Sequence, residues 1–322
     1  MSERMRSISA QAHAKVNLHL GVGDLREDGY HDLTTVFQSL SLADMVTLEI
    51  GPDRDLVTGG SIVSGLSAMG LDAASVPTDD SNLAWRAVDK LVEYYRSHHG
   101  LAESRSVHIQ IHKGIPTAGG MAGGSADAAA ALVAAHAFLS ENHPAVPMSV
   151  LNDIAAELGS DVPFTLRGGT MLGRGRGELL TPMLSRGTYH WALVFFKEGL
   201  STPRVFAELD DMRARGTQIG PSPDTTALSR ALLSGEAEEL APVLVNDLQV
   251  PALSLRRDIG RTLEAGREAG ALAGIVSGSG PTVAFLCRSE LHARDVLDDL
   301  LADGAYSGTT AHGPAKGAHL ID

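Results

Sequence analysis

Hydrophobic and polar positions in this chain alternate in some stretches and recur with helical spacing in others, and the two patterns follow one another along the sequence. Residues 107–112, Val-His-Ile-Gln-Ile-His, alternate strictly and predict a strand. Its two histidines, His108 and His112, would stand roughly 13 Å apart on one face, too far to share a metal, and are expected at the surface. The segments 8–22 and 43–50 also read as strands. Residues 82–96 predict a helix with Leu83, Ala87, Leu91 and Tyr94 on one face and Ser81 placed to cap it. Residues 149–158 predict a short helix that Gly159 can end in the left-handed conformation. A glycine-rich stretch, 168–177, then marks a domain boundary. Beyond it come a strand over 191–196, helices near 203–214, 236–245 and 251–268, and a polar loop around 216–224. A strand–turn–strand over 274–285 and a last helix near 289–302 follow. This is the element order of an α/β chain in two domains, 1–168 and 169–322.

One segment breaks both patterns. Between the strand-like lead-in at Ile115-Pro116 and an alanine-rich run that reads as a helix lie Gly119, Gly120, Met121, Ala122, Gly123, Gly124, Ser125, Ala126 and Asp127. Glycines let backbone N–H groups turn toward one point and approach a ligand closely. A helix that starts there adds unpaired N–H groups and the positive end of its dipole, which together favour phosphate. The two familiar phosphate loops do not fit. Gly124 is followed by Ser125 rather than by the lysine of a P-loop, and the glycine spacing is not that of a dinucleotide fingerprint.

Composition narrows the class. The 322 residues suffice for two domains, and 43% hydrophobic with 20% charged residues describes an ordinary globular protein. The formal charge of −13 argues against nucleic acid or an anionic membrane as partner. A bound anion must therefore be held by local N–H groups, a few cations and a metal. Cys287 is the only cysteine, which excludes an internal disulfide and a cysteine zinc cluster. The first six residues lead into no apolar run, so no signal peptide is expected and the chain is assigned to the cytoplasm. The longest apolar stretch, 128–139, is too short to span a bilayer.

Three segments resemble the three motifs of the GHMP kinase superfamily: Ala14-Lys15-Val16-Asn17-Leu18, the glycine loop, and Ser277-Gly278-Ser279-Gly280. Asp28-Gly29-Tyr30-His31 and Leu158-Gly159-Ser160-Asp161-Val162-Pro163 add two elements of the branch that acts on a cytidine-diphosphate-linked methylerythritol. The five segments occur in family order. The resemblance implies a two-domain α+β fold, with an N-terminal phosphate-loop domain, a C-terminal ferredoxin-like domain and the site between them. It also implies ATP and Mg²⁺ as cofactors and phosphorylation of the acceptor's 2-hydroxyl, on the methylerythritol phosphate route to isoprenoid precursors, by a monomer or weak homodimer. Another GHMP small-molecule kinase, of homoserine or mevalonate type, is the rival enzyme, but a small aliphatic acceptor needs no base clamp. A non-catalytic nucleotide-binding homologue is the other alternative, against which the presence of both Lys15 and Asp161 speaks.

By resemblance, Lys15 lies beside the acceptor hydroxyl and the transferred phosphoryl group, and Asp161 contacts that hydroxyl and takes its proton. A nearby lysine would weaken Asp161 as a base. Phosphoryl transfer tolerates this because it depends mostly on positioning and charge stabilisation. Tyr30 and Phe206 would stack on the two faces of cytosine, His31 would bond its edge, and Asn17 the methylerythritol portion. Thr202, Ser277 and Gly278 complete the acceptor side. Asn82 and Lys113 resemble positions around the adenosine of ATP, and the loop from Pro116 through Gly119 to Ala126 its phosphate site. The loop departs from the family in placing Ala118, Ala122 and Ala126 where Gly, Gly and Ser are common, and Asp127 where Asn is. Alanine restricts the backbone, so Ala122 is expected at φ < 0. A family serine that meets Mg²⁺ falls near Gly123, so no metal ligand is assigned. A negative Asp127 near phosphate is unfavourable unless it caps the helix or reaches Mg²⁺ through water.

Overall fold

The computed structural model describes residues 6–53, 55–117, 119–302 and 307–321. Ala118 and residues 1–5, which enter the loop comparison and the signal-peptide expectation, lie outside them. The chain runs β1 (Arg6–Leu25), β2 (His31–Ile50), β3 (Leu56–Thr58), β4 (Val63–Gly70), α1 (Leu83–His99), β5 (Glu103–Arg105), β6 (Val107–Lys113), α2 (Gly123–Leu139), α3 (Met148–Leu158), α4 (Val162–Arg167), β7 (Thr170–Arg174) and β8 (Leu179–Pro182). It continues with β9 (Tyr189–Phe195), α5 (Thr202–Ala214), α6 (Thr226–Ser234), α7 (Ala237–Leu240), β10 (Val245–Asn246), α8 (Gln249–Leu255), α9 (Arg257–Glu268), β11 (Ala273–Val276), β12 (Val283–Cys287), α10 (Glu290–Leu301), β13 (Ser307–Gly313) and β14 (His319–Ile321).

Two sheets organise these elements. The larger has the order β10-β1-β2-β6-β4, with β14 beside β1 and β7 and β8 extending from β2. Strands from beyond residue 169 thus close both flanks of a sheet begun by the first half of the chain. Its spine is the antiparallel pair β1–β2, whose register shifts between His13 and Lys15, between Asn17 and His19, and between Val22 and Leu25. Such bulges re-aim side chains and bend strands, and they recur beside active sites. The smaller sheet is antiparallel with the order β11-β12-β9-β13. With α10 between β12 and β13 and helices between β9 and β11, this is the β-α-β-β-α-β arrangement of a ferredoxin-like domain.

The alanine run forms α2, buried on nearly all sides among β1, β2 and α1. Small side chains let its backbone lie close to both layers, and a helix apolar all round belongs in a core. A second core joins Leu20 and Val22 of β1 to the helices and strands of the smaller sheet.

Several boundaries differ from expectation, each for a local reason. The helix cap is Asn82, whose side chain accepts from Ala84 N at 2.8 Å; Ser81 instead bonds Asp79. Gly159 ends α3 in extended backbone, φ 172°, and not in the left-handed region. No single helix spans 236–245, because α7 gives way at Pro242 to a 3₁₀ turn and then to β10. The 251–268 helix is two, broken by extended backbone at Arg256. Residues 31–42 belong to β2 although polar residues interrupt their hydrophobic pattern. Thr35, Gln38 and Ser39 are buried, with Thr35 Oγ1, Gln38 Nε2 and Ser39 Oγ donating to His19 O, Thr170 Oγ1 and Gly169 O.

A Cβ placed on Gly266 in α9 would stand 2.1 Å from the Phe285 ring on β12. Gly266→Ala is therefore expected to lower stability by about 1–3 kcal/mol through overpacking, against a helix-propensity gain of about 1 kcal/mol. A lower thermal midpoint is the expected result; a raised one would mean the helix shifts freely off the sheet.

Candidate active site

A cavity of about 720 Å³ opens where β1, β2, the glycine loop, α5 and the β11–β12 turn converge. The bulged β1 sends Lys15 and Asn17 into it. Lys15 is 4% exposed and donates to Asn17 Oδ1 at 2.7 Å, while Asn17 Nδ2 donates to Thr35 Oγ1 at 2.8 Å. The ammonium sits 5.9 Å over the Phe37 ring. Burial pushes Lys15 below the ordinary lysine range, and the charge of Asp161 acts in the opposite direction. Asp161 lines the same cavity from the start of α4, and its carboxylate makes no cap bond to that helix. It remains available to a ligand.

Gly119, Gly120, Ala122, Gly123, Gly124 and Ser125 form the adjoining wall. The cap position of α2 is Ala122, which offers no side-chain acceptor, so the first N–H groups of the helix face the cavity unpaired by a cap. Ala122 has φ +62°, not the negative φ expected of alanine. The left-handed conformation costs a residue with a Cβ about 1–2 kcal/mol. It persists because the loop is pinned on either side. Lys15 N donates to Met121 O, Thr282 N donates to Gly119 O, and Ser277 Oγ donates to Gly120 O at 3.1 Å. Gly120 has φ +77°, and a Cβ there would lie 2.1 Å from Ser277 O. Gly278, lining the cavity at φ +58°, leaves room for the Lys15 ammonium 2.9 Å from where its Cβ would be.

Asn82, Lys113, Pro116, Met121, Ala126 and Ser277, also singled out in the sequence, stand behind this wall and do not line it. Asn82 uses its side chain to cap α1 and to bond Pro77 O. Lys113 lies beneath the loop, paired with Asp44 and, at 2.8 Å, with Asp127. All three are almost fully buried. Asp44 is well supplied, accepting also from Gly114 N at 2.7 Å and Ile115 N at 2.8 Å. Asp127 Oδ1 has no partner. Burial pushes the Asp127 carboxyl up to about 8, with Lys113 opposing and Asp44 reinforcing the shift. Asp127 therefore neither caps α2 nor faces the cavity. No sequence pattern had marked Asp44, which lies far from the loop in the chain.

At the other end of the cavity, Tyr30 is 53% exposed at its mouth, with the Arg176 guanidinium 5.3 Å over its ring. His31 is buried, stacked on Phe206 at 5.1 Å between ring centroids, and its Nε2 lies 3.0 Å from Asp210 Oδ1. Thr202, at the start of α5, shares a 2.8 Å hydrogen bond with Ser279, joining that helix to the turn that braces the loop. Arg176 and Asp210 were not anticipated; nothing in their local sequence distinguishes them from surface charges.

Comparisons with known proteins agree with this architecture. Residues 82–169 match the GHMP kinases N-terminal domain, and residues 228–305 match the GHMP kinases C-terminal domain. The 4-diphosphocytidyl-2-C-methyl-D-erythritol kinase of Corynebacterium diphtheriae is 53% identical, the match covering 98% of both chains. That of Nocardia farcinica is also 53% identical, over 98% of this chain and 96% of the relative. A crystal structure of 4-(cytidine 5'-diphospho)-2C-methyl-D-erythritol kinase superposes with TM-score 0.71 at 32% identity, covering 95% of this chain and 99% of that one. Homoserine kinase from Cytophaga hutchinsonii, at 17% identity and TM-score 0.73, shares the fold. The chain belongs to the GHMP kinase family. Within it, its place is with the 4-diphosphocytidyl-2-C-methyl-D-erythritol kinases, which it matches over nearly its full length.

The buried triad makes a prediction about pH. Asp127 has a folded-state pKa above its unfolded value, so its contribution to stability is fully present below the unfolded value near 4 and is lost as pH rises toward about 8. Asp127→Asn keeps the shape and removes this loss. The variant should be the more stable protein at pH 8, by a margin that narrows toward pH 5 in thermal melts. Lys113→Met, which strands two buried carboxyls, should instead cost about 3–5 kcal/mol.

Proposed function

We propose that this chain transfers the γ-phosphoryl group of ATP to the 2-hydroxyl of 4-diphosphocytidyl-2-C-methyl-D-erythritol, as a cytoplasmic enzyme of isoprenoid precursor synthesis. The observation that carries the reading is one cavity that joins Lys15 and Asp161 to a glycine loop at one end and to Tyr30, His31 and Phe206 at the other. A phosphate group on the loop would receive backbone N–H groups and the start of α2. Lys15 supplies positive charge where negative charge develops, and a phosphate beside it offsets the burial that disfavours its ammonium. Asp161 orients the acceptor hydroxyl and accepts its proton. Asn17, held by Lys15 and Thr35, gives the acceptor a fixed polar contact.

Among the described residues no cluster of three His, Cys, Asp or Glu could hold a metal. The cavity offers the Asp161 carboxylate and the Ser125 hydroxyl beside the loop. So few protein oxygens fit Mg²⁺, which keeps most of its shell as water and nucleotide phosphate. Bound there, Mg²⁺ would neutralise phosphate charge.

The cytosine end distinguishes this acceptor from smaller ones. An ADP-release assay with the cytidyl acceptor, mevalonate and homoserine should show turnover with the first alone; preference for either of the others would overturn the reading. Lys15→Ala and Asp161→Asn should each lower kcat at least about a hundredfold, with little change in nucleotide affinity. For the loop, a branched side chain at Gly120 or Gly123 looks from the sequence like the natural probe. Gly120 is unsuitable, since its Cβ would strike Ser277 O, and a Cβ at Gly123 would crowd Lys113 Nζ at 3.2 Å. A Cβ at Gly124 meets only Leu83 Cδ1, at 3.8 Å. Gly124→Val should therefore weaken binding of a non-hydrolysable ATP analogue, by calorimetry, while the melting temperature holds. Unchanged affinity would move the nucleotide elsewhere.

A further inference from the structure

His31 makes one hydrogen bond through its ring among the described residues, from Nε2 to Asp210 Oδ1 at 3.0 Å. The imidazole is buried, with only 5% of its side chain exposed, and Phe206 stacks against it. Asp210 sits one turn beyond Phe206 on α5, lines the same cavity, and is the only carboxylate paired with this ring among the described residues. A carboxylate accepts and cannot donate, so in the neutral ring the proton it selects is the one on Nε2. Nδ1 is then left as a lone-pair acceptor.

We propose that Asp210 is a positioning residue that sets the base specificity of the acceptor site by fixing the His31 tautomer. The inference rests on the cytidyl acceptor proposed above. An Nδ1 acceptor matches the exocyclic amino group of cytosine, which donates. Uracil carries a carbonyl oxygen at that position, which would meet a lone pair with a lone pair. Reversing the neutral ring to donate from Nδ1 would turn the bare Nε2 toward the Asp210 carboxylate, so uracil is disfavoured in either neutral tautomer. Site groups built to pair one substrate atom discriminate strongly against an analogue that cannot supply the bond. Without the carboxylate the ring is free to exchange tautomers, and the rejection is lost.

The test compares the cytidyl acceptor with its uridine-diphosphate-linked analogue in the wild type, in Asp210→Ala and in a control, Asp211→Ala, whose side chain is exposed on the same helix. Asp210→Ala should raise KM for the cytidyl acceptor about tenfold, the scale of one hydrogen bond, with kcat and KM for ATP within about twofold. Because the uridine analogue gains as its rejection is relieved, the cytosine-to-uracil ratio of kcat/KM should fall by more than the roughly tenfold factor lost by the cytidyl acceptor alone, while Asp211→Ala leaves it unchanged. Nitrogen-15 spectra of the wild-type imidazole should show the Nε2-protonated tautomer, a reading that needs no variant to fold. A proton on Nδ1, or an unchanged base ratio in Asp210→Ala, overturns the role of Asp210 while leaving the kinase reading intact. A wild-type enzyme that phosphorylates neither acceptor overturns both.

Discussion

The site depends on a backbone-to-backbone contact between the two sheets. The β11–β12 turn presses on the glycine loop so closely that Gly120 has no room for a Cβ beside Ser277 O. Ser277 Oγ reaches Gly120 O, Thr282 N reaches Gly119 O, and Lys15 N from β1 takes Met121 O. A loop clamped from both sides can hold Ala122 in a conformation alanine avoids, because the surroundings over-determine it. The same turn brings Gly278 up to the Lys15 ammonium. One contact thus shapes the glycine loop, places the cation beside it and makes the second domain part of the site.

The second constraint is charge. The protein carries −13 overall and has to receive polyanions. It keeps acidic groups out of the loop's field by pairing them beneath it. Asp44 takes three donors, Lys113 bridges, and burial pushes the carboxyl of Asp127, left with an unpartnered oxygen, up to about 8. The aspartate that the loop sequence presents is thus paired beneath the loop and turned away from the cavity. Lys15 is treated in the opposite way. It is buried with little compensation, and a buried cation short of partners gains most from an incoming anion.

Much of this was legible in the sequence because it is local. The strict alternation of 107–112, the alanine run after the glycines and the glycine-punctuated turn at 277–280 each appear in the structure as read. Lys15, Asp161, Tyr30, His31 and Phe206, taken from four separate segments, do meet in one cavity. What escaped was set by partners distant in sequence. Residues 31–42 look too polar for a strand interior because the partners of Thr35 Oγ1, Gln38 Nε2 and Ser39 Oγ come from elsewhere in the chain. Lys113 reads as a strand-end charge until Asp44, 69 positions away, is seen beside it. Gly159 has the sequence of a left-handed cap, but the chain leaves α3 extended to set Asp161 at the start of α4.

On the proposed reading, the long β1–β2 ladder suits a long acceptor. Lys15 pairs with Ser39 and Leu25 with His31, so the transfer end and the base end lie on one pair of strands. Backbone hydrogen bonds along the ladder hold these two ends apart, so they do not close around a small substrate. An acceptor of a few carbons at Lys15 would leave the shelf of Tyr30, His31 and Phe206 untouched, and that shelf would contribute nothing to its turnover. A nucleoside diphosphate attached to a short polyol can occupy both ends at once. Binding energy gained at the base, remote from the reacting hydroxyl, can then be spent on orienting that hydroxyl between Lys15 and Asp161. On the proposed reading, selectivity for the acceptor and positioning for transfer rest on the same ladder, and the chemistry at one end draws on the aromatic shelf at the other.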